Sequence, residues 1–117
     1  MLIFIEYPPC STCQKAKKFL KEHHIEFTSR HIVENTPTVK ELTTWIYQSQ
    51  LPIKKFFNTS GMLYREMQLK DKLETMSDEE KITLLSQHGM LIKRPLLISD
   101  NLVFVGFKKE HYESLLK

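Results

Sequence analysis

The spacing of apolar residues changes along the chain, and the changes mark out strands and helices. A run of apolar residues at 2–6 is followed by Pro8 and reads as a short buried strand, which the proline terminates because it lacks an amide donor. Ala16, Phe19 and Leu20 then recur at helical intervals, with lysines on the opposite face. The chain therefore opens with a strand followed by an amphipathic helix.

The start and end of this helix can also be predicted. Ser11 and Gln14 have the spacing of a capping box, so Ser11 is the expected N-cap residue. The helix should end near residues 23–24. Residues 25–33 then alternate well enough for a second strand, which would lie parallel to the first if a right-handed crossover connects them.

The middle of the chain is predicted to be helical. Thr38 with Glu41, and Ser77 with Glu80, are two further capping-box pairs, each placed before an apolar periodic segment. Residues 62–69 could form one more helix between them. The expected inner positions of this block are Leu42, Trp45, Ile46, Phe56, Phe57, Ile82, Leu84 and Leu85, with Gly89 as the C-terminal stop.

The last third returns to strands. Residues 96–98 and 102–105 are apolar and flank Ser-Asp-Asn, a turn composition, so they predict an antiparallel hairpin. Residues 108–117 should close the chain as a helix. The predicted order is β-α-β, a helical block, then β-β-α, which is an α/β class. The inward positions expected in the closing helix are Tyr112, Leu115 and Leu116.

Length and composition suit one globular domain. The chain has 117 residues, of which 41% are hydrophobic and 26% charged, and a domain of this size needs no disulfide or metal to build a core. No apolar run approaches the roughly 18 residues of a membrane span, and the N-terminus lacks a basic leader, so we expect a cytoplasmic protein without membrane contact. The net charge of +3 is mild, and no surface typical of direct nucleic-acid binding is evident.

Cys10 and Cys13 carry the main chemical signal. They form a Cys-x-x-Cys motif between the first strand and the first helix. The first turn of a helix offers unpaired amides and the positive end of its dipole, both of which favour a thiolate. With Ser11 as N-cap, Cys10 would lie exposed just outside the helix and attack, while Cys13 would lie inside and resolve the mixed disulfide. Lys15 and Lys17 would add positive charge.

Other interpretations of the two cysteines remain open. A zinc site would need two more ligands, and the five histidines show no suitable spacing, so no metal is expected. A structural disulfide would close too short a loop to constrain the unfolded chain much. Two inert thiols are the third alternative.

Arg94 and Pro95 form a second candidate site, directly before the predicted strand at 96–98. An arginine at a strand end can bind an oxyanion through two parallel hydrogen bonds, and the Arg94–Pro95 bond could be cis. The alternative is a charged residue and a trans proline that simply mark the start of a strand.

The motif Cys-Ser-Thr-Cys-Gln-Lys-Ala at 10–16 and the segment Gly-Met-Leu-Ile-Lys-Arg-Pro at 89–95 resemble the ArsC/Spx family of arsenate reductase-like proteins. The resemblance implies a thioredoxin-like fold with a mixed four-stranded sheet and a helical insertion. It implies one domain over 1–117, with a thioredoxin-like core of about 1–36 and 90–117 and an insertion of about 37–89. It also implies that Pro95 is a cis proline facing the active cysteine.

Two branches of this family differ in chemistry. Glutaredoxin-like arsenate reductases use one cysteine, which matches Cys10, and hold the oxyanion with arginines, of which Arg94 has a match. The other arginine positions fall near Asn58 and Gly106, neither of which is cationic. Spx-type regulators use a Cys-x-x-Cys switch and bind the C-terminal domain of the RNA polymerase α subunit. The glycine of that contact has no counterpart in residues 48–52.

Residues and resemblance together favour a cytosolic thiol–disulfide oxidoreductase. Cys10 would be the nucleophile, Cys13 the resolving thiol, Arg94 an electrostatic partner and Pro95 a shaper of the site. The substrate would be a small oxyanion or a disulfide, and a low-molecular-weight thiol or thioredoxin-type reductant would act as co-substrate, with no bound cofactor. The alternative is an Spx-type redox-sensing regulator that binds the C-terminal domain of the polymerase α chain.

Overall fold

The computed structural model describes residues 1–117 and contains one four-stranded sheet, six α-helices and four short 3-10 turns. The strands are β1 Ile3–Glu6, β2 Thr28–His31, β3 Leu96–Ser99 and β4 Leu102–Val105. The helices are α1 Ser11–Glu22, α2 Val39–Ser49, α3 Met62–Glu66, α4 Leu69–Lys72, α5 Asp78–Gln87 and α6 Lys109–Glu113. The 3-10 turns are Ile53–Phe56, Leu73–Thr75, Gly89–Leu91 and Ser114–Leu116.

The sheet is mixed and has the strand order β2-β1-β3-β4. β1 runs parallel to β2, with Ile3 opposite Thr28, and antiparallel to β3, with Phe4 opposite Leu97. β3 and β4 form the expected antiparallel hairpin. The predicted α/β class, with β-α-β followed by β-β-α around a mixed four-stranded sheet, is confirmed.

The chain divides into two compact units. One combines Met1–His31 with Arg94–Lys117 and contains the sheet, α1 and α6, whereas the other, Ile32–Lys93, contains α2 to α5. These divisions lie four or five residues from the boundaries that the resemblance implies. No helix has both the length and the apolar character to cross a membrane.

A single apolar cluster fills the core of the sheet-containing unit. Phe4 of β1 and Leu97 of β3 lie in this cluster together with residues of the first and last helices. The buried helix residues in it are Ala16, Phe19, Leu20 and Tyr112. The apolar stripe predicted for α1 is therefore correct, and it packs with the sheet and with α6.

The second strand is shorter than the predicted segment 25–33. His24 adopts a left-handed conformation with φ 54°, and the Ile25 amide donates to the Leu20 carbonyl at 2.9 Å. Residues 25–27 thus close the end of α1 instead of joining the sheet. Pairing with β1 begins only at Thr28.

Two predictions about helix continuity are wrong. The single helix expected over 62–69 is divided into α3 and α4, because Gln68 has φ 56° and a left-handed residue cannot continue a right-handed helix. In the closing segment, α6 ends at Glu113 and a 3-10 turn follows. That change of period leaves Leu116 49% exposed, although it was expected inside, while Tyr112 is fully buried as predicted.

The helical unit follows its sequence pattern closely. The Thr38–Glu41 and Ser77–Glu80 capping boxes are both formed, and each lies at the start of its helix. The expected inner residues are buried, except that Leu84 is only half-buried. Gly89 does not end α5, which stops at Gln87, but a side chain at Gly89 would collide with the Ile32 carbonyl. Close backbone approach explains this glycine.

Candidate redox site

Cys10 is the residue at which the loop after β1 becomes α1. It is the N-cap of the helix, with φ −73° and ψ 123°, and it is half-buried. Its amide donates to the Tyr7 carbonyl at 2.9 Å, and its carbonyl accepts from the Gln14 amide at 3.1 Å. These two backbone bonds fix the Cα–Cβ direction of Cys10 at the positive end of the helix dipole.

The capping arrangement differs from the sequence-based prediction. Ser11 was expected to be the N-cap, but it is the first helical residue, and no side chain caps α1. Gln14 does not reach back to a cap amide either, because its side-chain Nε2 donates to the Pro8 carbonyl at 2.6 Å. Cys10 occupies the N-cap position itself, so the amides of the first turn are left available to its sulfur.

Hydrogen bonds to Cys10 outweigh the cost of its partial burial. Burial alone would raise the pKa of the Cys10 thiol, because a charged sulfur is disfavoured away from water. The amide and thiol of Cys13, and the amide of Thr12, donate to the Cys10 sulfur and lower its pKa. The positive charge of Arg94 acts in the same direction. The net result is a Cys10 pKa below its ordinary value.

Cys13 is the opposite case. It is fully buried in the first turn of α1, and burial is the largest cause that raises its pKa, to about 12. The Tyr7 amide is the next largest influence and lowers the pKa of Cys13; the hydrogen bond that Cys13 gives to Cys10 and the negative charge there raise it again, and the Arg94 charge lowers it slightly. The two thiols are therefore differentiated: one is poised to ionise, and the other holds its proton.

Arg94 is held by an aromatic ring that the sequence analysis missed. Its guanidinium carbon lies 5.2 Å from the centroid of the Tyr7 ring, and Tyr7 also makes an edge contact with His31 at 5.9 Å. Arg94 acts by charge on both cysteines, so the structure brings Cys10, Cys13 and Arg94 together. The position of Tyr7, between β1 and Pro8, was the available signal for its role.

Pro95 is buried and follows a cis peptide bond from Arg94. The cis bond was one of the expectations from the resemblance. The Pro95 carbonyl accepts a hydrogen bond from the Gly106 amide at 2.8 Å, which extends the β3–β4 hairpin by one pair. This bond anchors the segment that carries Arg94 to the sheet.

Lys15 and Lys17 contribute less positive charge to the cysteine site than the sequence predicted. Lys17 donates to Glu6 at 2.8 Å, and Glu6 is the only buried charged residue of the core, at 2% exposure. Lys15 is exposed to solvent. Because Lys17 is engaged by Glu6, the positive charge that acts on Cys10 comes from Arg94. Glu6 is the last residue of the strand predicted at 2–6, and nothing in the sequence pattern indicated its pairing with Lys17.

The site contains a nucleophile, a protonated second thiol and a fixed cation. Such a set can attack a sulfur or another electrophilic centre, form a covalent intermediate and release it with the second thiol. No group of three or more His, Cys, Asp or Glu side chains is arranged to hold a metal ion.

Residues 5–115 match the sequence model of the ArsC family. Among curated proteins, the uncharacterized protein YusI of Bacillus subtilis is 52% identical over 96% of this chain and 95% of its own length. The regulatory protein MgsR of Bacillus subtilis is 32% identical over 91% of this chain and 82% of its own.

Solved structures have the same fold. An ArsC family related protein of Bacteroides fragilis is 56% identical, with a TM-score of 0.94 over 97% of this chain and 96% of that one. A protein of Streptococcus mutans described as a possible arsenate reductase is 43% identical, with a TM-score of 0.91 over 100% of this chain and 98% of that one. These relatives include both a reductase-like protein and a regulator.

Proposed function

We propose that this chain, which belongs to the ArsC family, is a thiol–disulfide oxidoreductase with Cys10 as nucleophile and Cys13 as resolving thiol. The observation that carries the proposal is the contrast between the two sulfurs. Cys10 is half-buried at the N-cap of α1 and accepts hydrogen bonds from first-turn amides, whereas Cys13 is fully buried and donates to Cys10. Enzymes that exchange disulfides need this difference, because one thiol must attack before the other.

The reaction consists of two sulfur exchanges. The Cys10 thiolate attacks a disulfide R–S–S–R, forms the Cys10–S–R bond and expels RS⁻, which takes up a proton. Cys13 then loses its proton, attacks Cys10 Sγ, forms the Cys10–Cys13 disulfide and expels the second RS⁻, so the substrate has gained two electrons. A low-molecular-weight thiol or a thioredoxin-type dithiol returns the pair to its reduced form and is itself oxidised to a disulfide.

Arg94 and Pro95 have supporting roles in this proposal. The Arg94 charge lowers the pKa of Cys10, and it would stabilise the anion that leaves or an anionic group on the substrate. Tyr7 limits the directions that the guanidinium can take. The buried Pro95 accepts a hydrogen bond from the Gly106 amide through its carbonyl, and this bond fixes the position of Arg94 directly before β3.

A disulfide substrate suits the site better than arsenate. Arsenate is a compact anion that needs several charge-assisted donors, and the resemblance places further arginines near Asn58 and Gly106. Gly106 is buried with φ 75°, so an arginine there would be strained as well as desolvated. Of the arginines that hold the oxyanion in the arsenate reductases, this chain therefore has a match only for Arg94. A small oxyanion remains the second substrate class to test.

The test is turnover of a small disulfide with a low-molecular-weight thiol as reductant. Cys10→Ser should abolish turnover, because the nucleophile is lost. Cys13→Ser should accumulate a mixed disulfide on Cys10, visible as an added substrate mass. Ser11→Ala, which changes a neighbouring exposed side chain that caps nothing, is the matched control. Equal residual turnover in both cysteine variants would contradict the assigned roles.

One observation favours a regulator as the second candidate. A groove of about 1160 Å³ within the helical unit is lined by α2, α5 and the segment Gln50 to Lys54. Tyr47, which lines it, is 87% exposed, so its ring is accessible to a partner protein. Residues 48–52 are the segment that the Spx resemblance relates to the polymerase contact, but the glycine of that contact has no counterpart among them.

The regulator candidate predicts a complex with the C-terminal domain of the RNA polymerase α subunit. Retention of this chain by that domain in only one redox state, and its loss in Tyr47→Ala, would support it. If the polymerase domain retains the chain in neither redox state and the chain turns over a disulfide, the regulator candidate is refuted and the oxidoreductase proposal stands. MgsR, a relative at 32% identity, is named a regulatory protein.

A further inference from the structure

The helical unit contains a cavity of about 570 Å³ that the proposed redox chemistry does not use. It is formed by the loop at 59–60, by α3 and by the start of α4. Its volume lies within the range of about 300–1,000 Å³ that is typical of small-molecule sites. All of its lining residues belong to Ile32–Lys93, so a ligand bound here would be independent of the cysteine site.

The lining of this cavity is polar throughout. Most small-molecule pockets are lined mainly by apolar and aromatic side chains, with a few polar groups among them. Here every lining residue carries a charged group, a hydroxyl or an amide. An apolar ligand would leave these groups without water or a partner, so the cavity favours a charged and hydrophilic one.

Tyr64 of α3 brings a hydroxyl to the cavity from the buried side. The Tyr64 side chain is 6% exposed, and its ring packs edge-on against Phe57, with the two ring centroids 6.3 Å apart. Its hydroxyl has no hydrogen-bond partner in the protein, but it is not sealed from solvent as the Tyr112 hydroxyl is. Because Tyr64 lines the cavity and is otherwise covered, a ligand in the cavity is the partner available to this hydroxyl.

Two cations lie at the same cavity. Arg65 of α3 and Lys70 of α4 both line it, and both are exposed. Neither makes an ion pair or a side-chain hydrogen bond within the protein. Like charges that share a site repel each other, so an anion that contacts both cations would be stabilised.

The set of donors suits a phosphate group better than a carboxylate. Besides the two cations, the cavity presents the hydroxyls of Thr59, Ser60 and Tyr64. A phosphate monoester carries about −1.5 to −2 charges at neutral pH and has three strongly accepting oxygens, whereas a carboxylate carries one charge on two oxygens. The two cations and three hydroxyls therefore match a phosphate in both charge and number of hydrogen bonds.

Asp71 and Gln68 indicate the rest of the ligand. Asp71 is the only acidic residue at the cavity, and an ionised carboxylate only accepts hydrogen bonds, so the ligand group beside it must donate, as a hydroxyl does. The Gln68 amide can donate to such a hydroxyl or accept from it. A nucleotide fits less well, because Tyr64 is the only aromatic residue of the lining and its ring is too buried to stack on a base.

We propose that this cavity binds a small phosphate monoester of a polyol. Arg65 and Lys70, together with the three hydroxyls, contact the phosphate oxygens. Asp71 accepts a hydrogen bond from a hydroxyl group of the polyol. The inference goes beyond the proposed function, because it assigns a ligand site to the helical unit and involves neither cysteine.

Glycerol 3-phosphate is the probe, added to the full-length chain at constant ionic strength and followed by amide NMR. The amide signals of residues 59–71 should shift and saturate. Glycerol and sulfate should bind at least several-fold more weakly, because the first lacks the phosphate and the second lacks the polyol. Shifts that do not saturate, or that sulfate reproduces at the same concentrations, would overturn the inference.

Two lysines on α4 provide a matched pair of variants. Lys70 and Lys72 are both exposed, but only Lys70 lines the cavity. Lys70→Met and Arg65→Met should each weaken the binding of glycerol 3-phosphate roughly tenfold or more, because each removes a charge-assisted hydrogen bond. Lys72→Met should leave the affinity nearly unchanged. Equal losses in Lys70→Met and Lys72→Met would show a general effect of surface charge and would overturn the inference.

Tyr64→Phe tests the buried hydroxyl. This variant should weaken binding several-fold, while its unfolding temperature stays as high as that of wild type, because the hydroxyl has no partner in the protein. Tyr112→Phe, at a buried tyrosine of the other unit, is the control and should bind as wild type does. Arg65 and Lys70 are exposed, so their variants decide the question even if Tyr64→Phe does not fold. Wild-type affinity in Arg65→Met, Lys70→Met and Tyr64→Phe alike would refute the site.

Discussion

The guanidinium carbon of Arg94 lies 5.2 Å from the centroid of the Tyr7 ring, and this contact links the cation to the backbone that holds both cysteines. The Tyr7 carbonyl accepts from the Cys10 amide, and the Tyr7 amide favours the Cys13 thiolate. One residue therefore supports the nucleophile, the resolving thiol and the arginine. The ArsC-family site in this chain depends on the loop after β1 as much as on the cysteine motif.

Removing the Arg94 charge should make Cys10 less reactive near neutral pH. Arg94→Met deletes a cation that lowers the Cys10 pKa, so the midpoint of Cys10 alkylation should move to higher pH. The shift should be smaller than that caused by losing the first-turn hydrogen bonds, which act more strongly on Cys10. Arg65→Met, at an exposed arginine of the helical unit, should leave the midpoint unchanged. An unchanged midpoint in Arg94→Met would refute the electrostatic role.

Removing the Tyr7 ring should weaken the same effect through Arg94. In Tyr7→Leu the backbone bonds can persist, but the cation–π contact, worth about 0.5–2 kcal/mol, is lost. We expect an upward shift of the Cys10 alkylation midpoint in the same direction as in Arg94→Met. The double variant should show no further shift, because Tyr7 acts on Cys10 through Arg94. Additive shifts in the alkylation titration would show that the two residues act separately.

The raised pKa of Cys13 predicts a loss of stability in alkaline solution. The unfolded chain releases the Cys13 proton around the ordinary pKa of 9.0, whereas the folded protein holds it until about 12. Between these values the unfolded state binds fewer protons, so the free energy of unfolding should fall by up to about 1.4 kcal/mol per pH unit.

Urea unfolding of reduced wild type and Cys13→Ala between pH 8 and 11 measures this contribution. The difference between the two slopes reports Cys13 together with its effect on Cys10, because lysines and tyrosines ionise in both proteins. Parallel curves would show that Cys13 ionises as easily in the folded protein as in the unfolded chain.

Sequence spacing predicted most of the helices and strands, but it failed where contacts between distant or neighbouring segments determine the local structure. The Thr38 and Ser77 capping boxes formed as expected, because each pair satisfies its own helix start. The Ser11–Gln14 pair has the same spacing, but the Gln14 side chain donates its hydrogen bond to the Pro8 carbonyl instead, and Cys10 is the N-cap. A spacing rule cannot see that competing acceptor, which lies in the preceding loop.

The candidate site was only partly visible in the sequence. Cys10 and Cys13 stood out because the motif falls at a strand-to-helix junction, and Arg94 because a resemblance pointed to it. Tyr7 had only one signal in the sequence, its position between β1 and Pro8, and a tyrosine beside a proline is too ordinary to indicate a role. The role of Tyr7 arises from its ring contact with Arg94, which folding creates between two distant segments of the chain.

The finding that Cys10, not Ser11, is the N-cap of α1 can be tested by measuring stability. Thr38→Ala removes a side-chain acceptor for the Glu41 amide at 3.1 Å and should cost about 0.5–2 kcal/mol of unfolding free energy. Ser11→Ala removes no capping bond, so it should be close to neutral. Urea unfolding of the two variants measures the contrast. A loss in Ser11→Ala as large as in Thr38→Ala would show that Ser11 does cap α1.

The Glu6–Lys17 pair should stabilise the fold without activating Cys10. Its two atoms are 2.8 Å apart, and the Glu6 side chain is 3% exposed. Lys17→Met leaves a buried carboxylate without its cation, which should cost about 3–5 kcal/mol of unfolding free energy. Lys18→Met, at the exposed neighbouring lysine, should cost little. The Cys10 alkylation midpoint should stay unchanged in folded Lys17→Met, because Arg94 supplies the charge that acts on Cys10.

The double variant Glu6→Leu/Lys17→Met separates loss of the pair from loss of packing. Removing both charges eliminates the stranded carboxylate, so most of the lost stability should return. Thermal or urea unfolding gives the free energy, and the alkylation titration gives the Cys10 midpoint in the same samples. A double variant as unstable as Lys17→Met would mean that the lysine stem, not its charge, supports the core. A shifted midpoint in Lys17→Met would instead place Lys17 among the groups that activate the nucleophile.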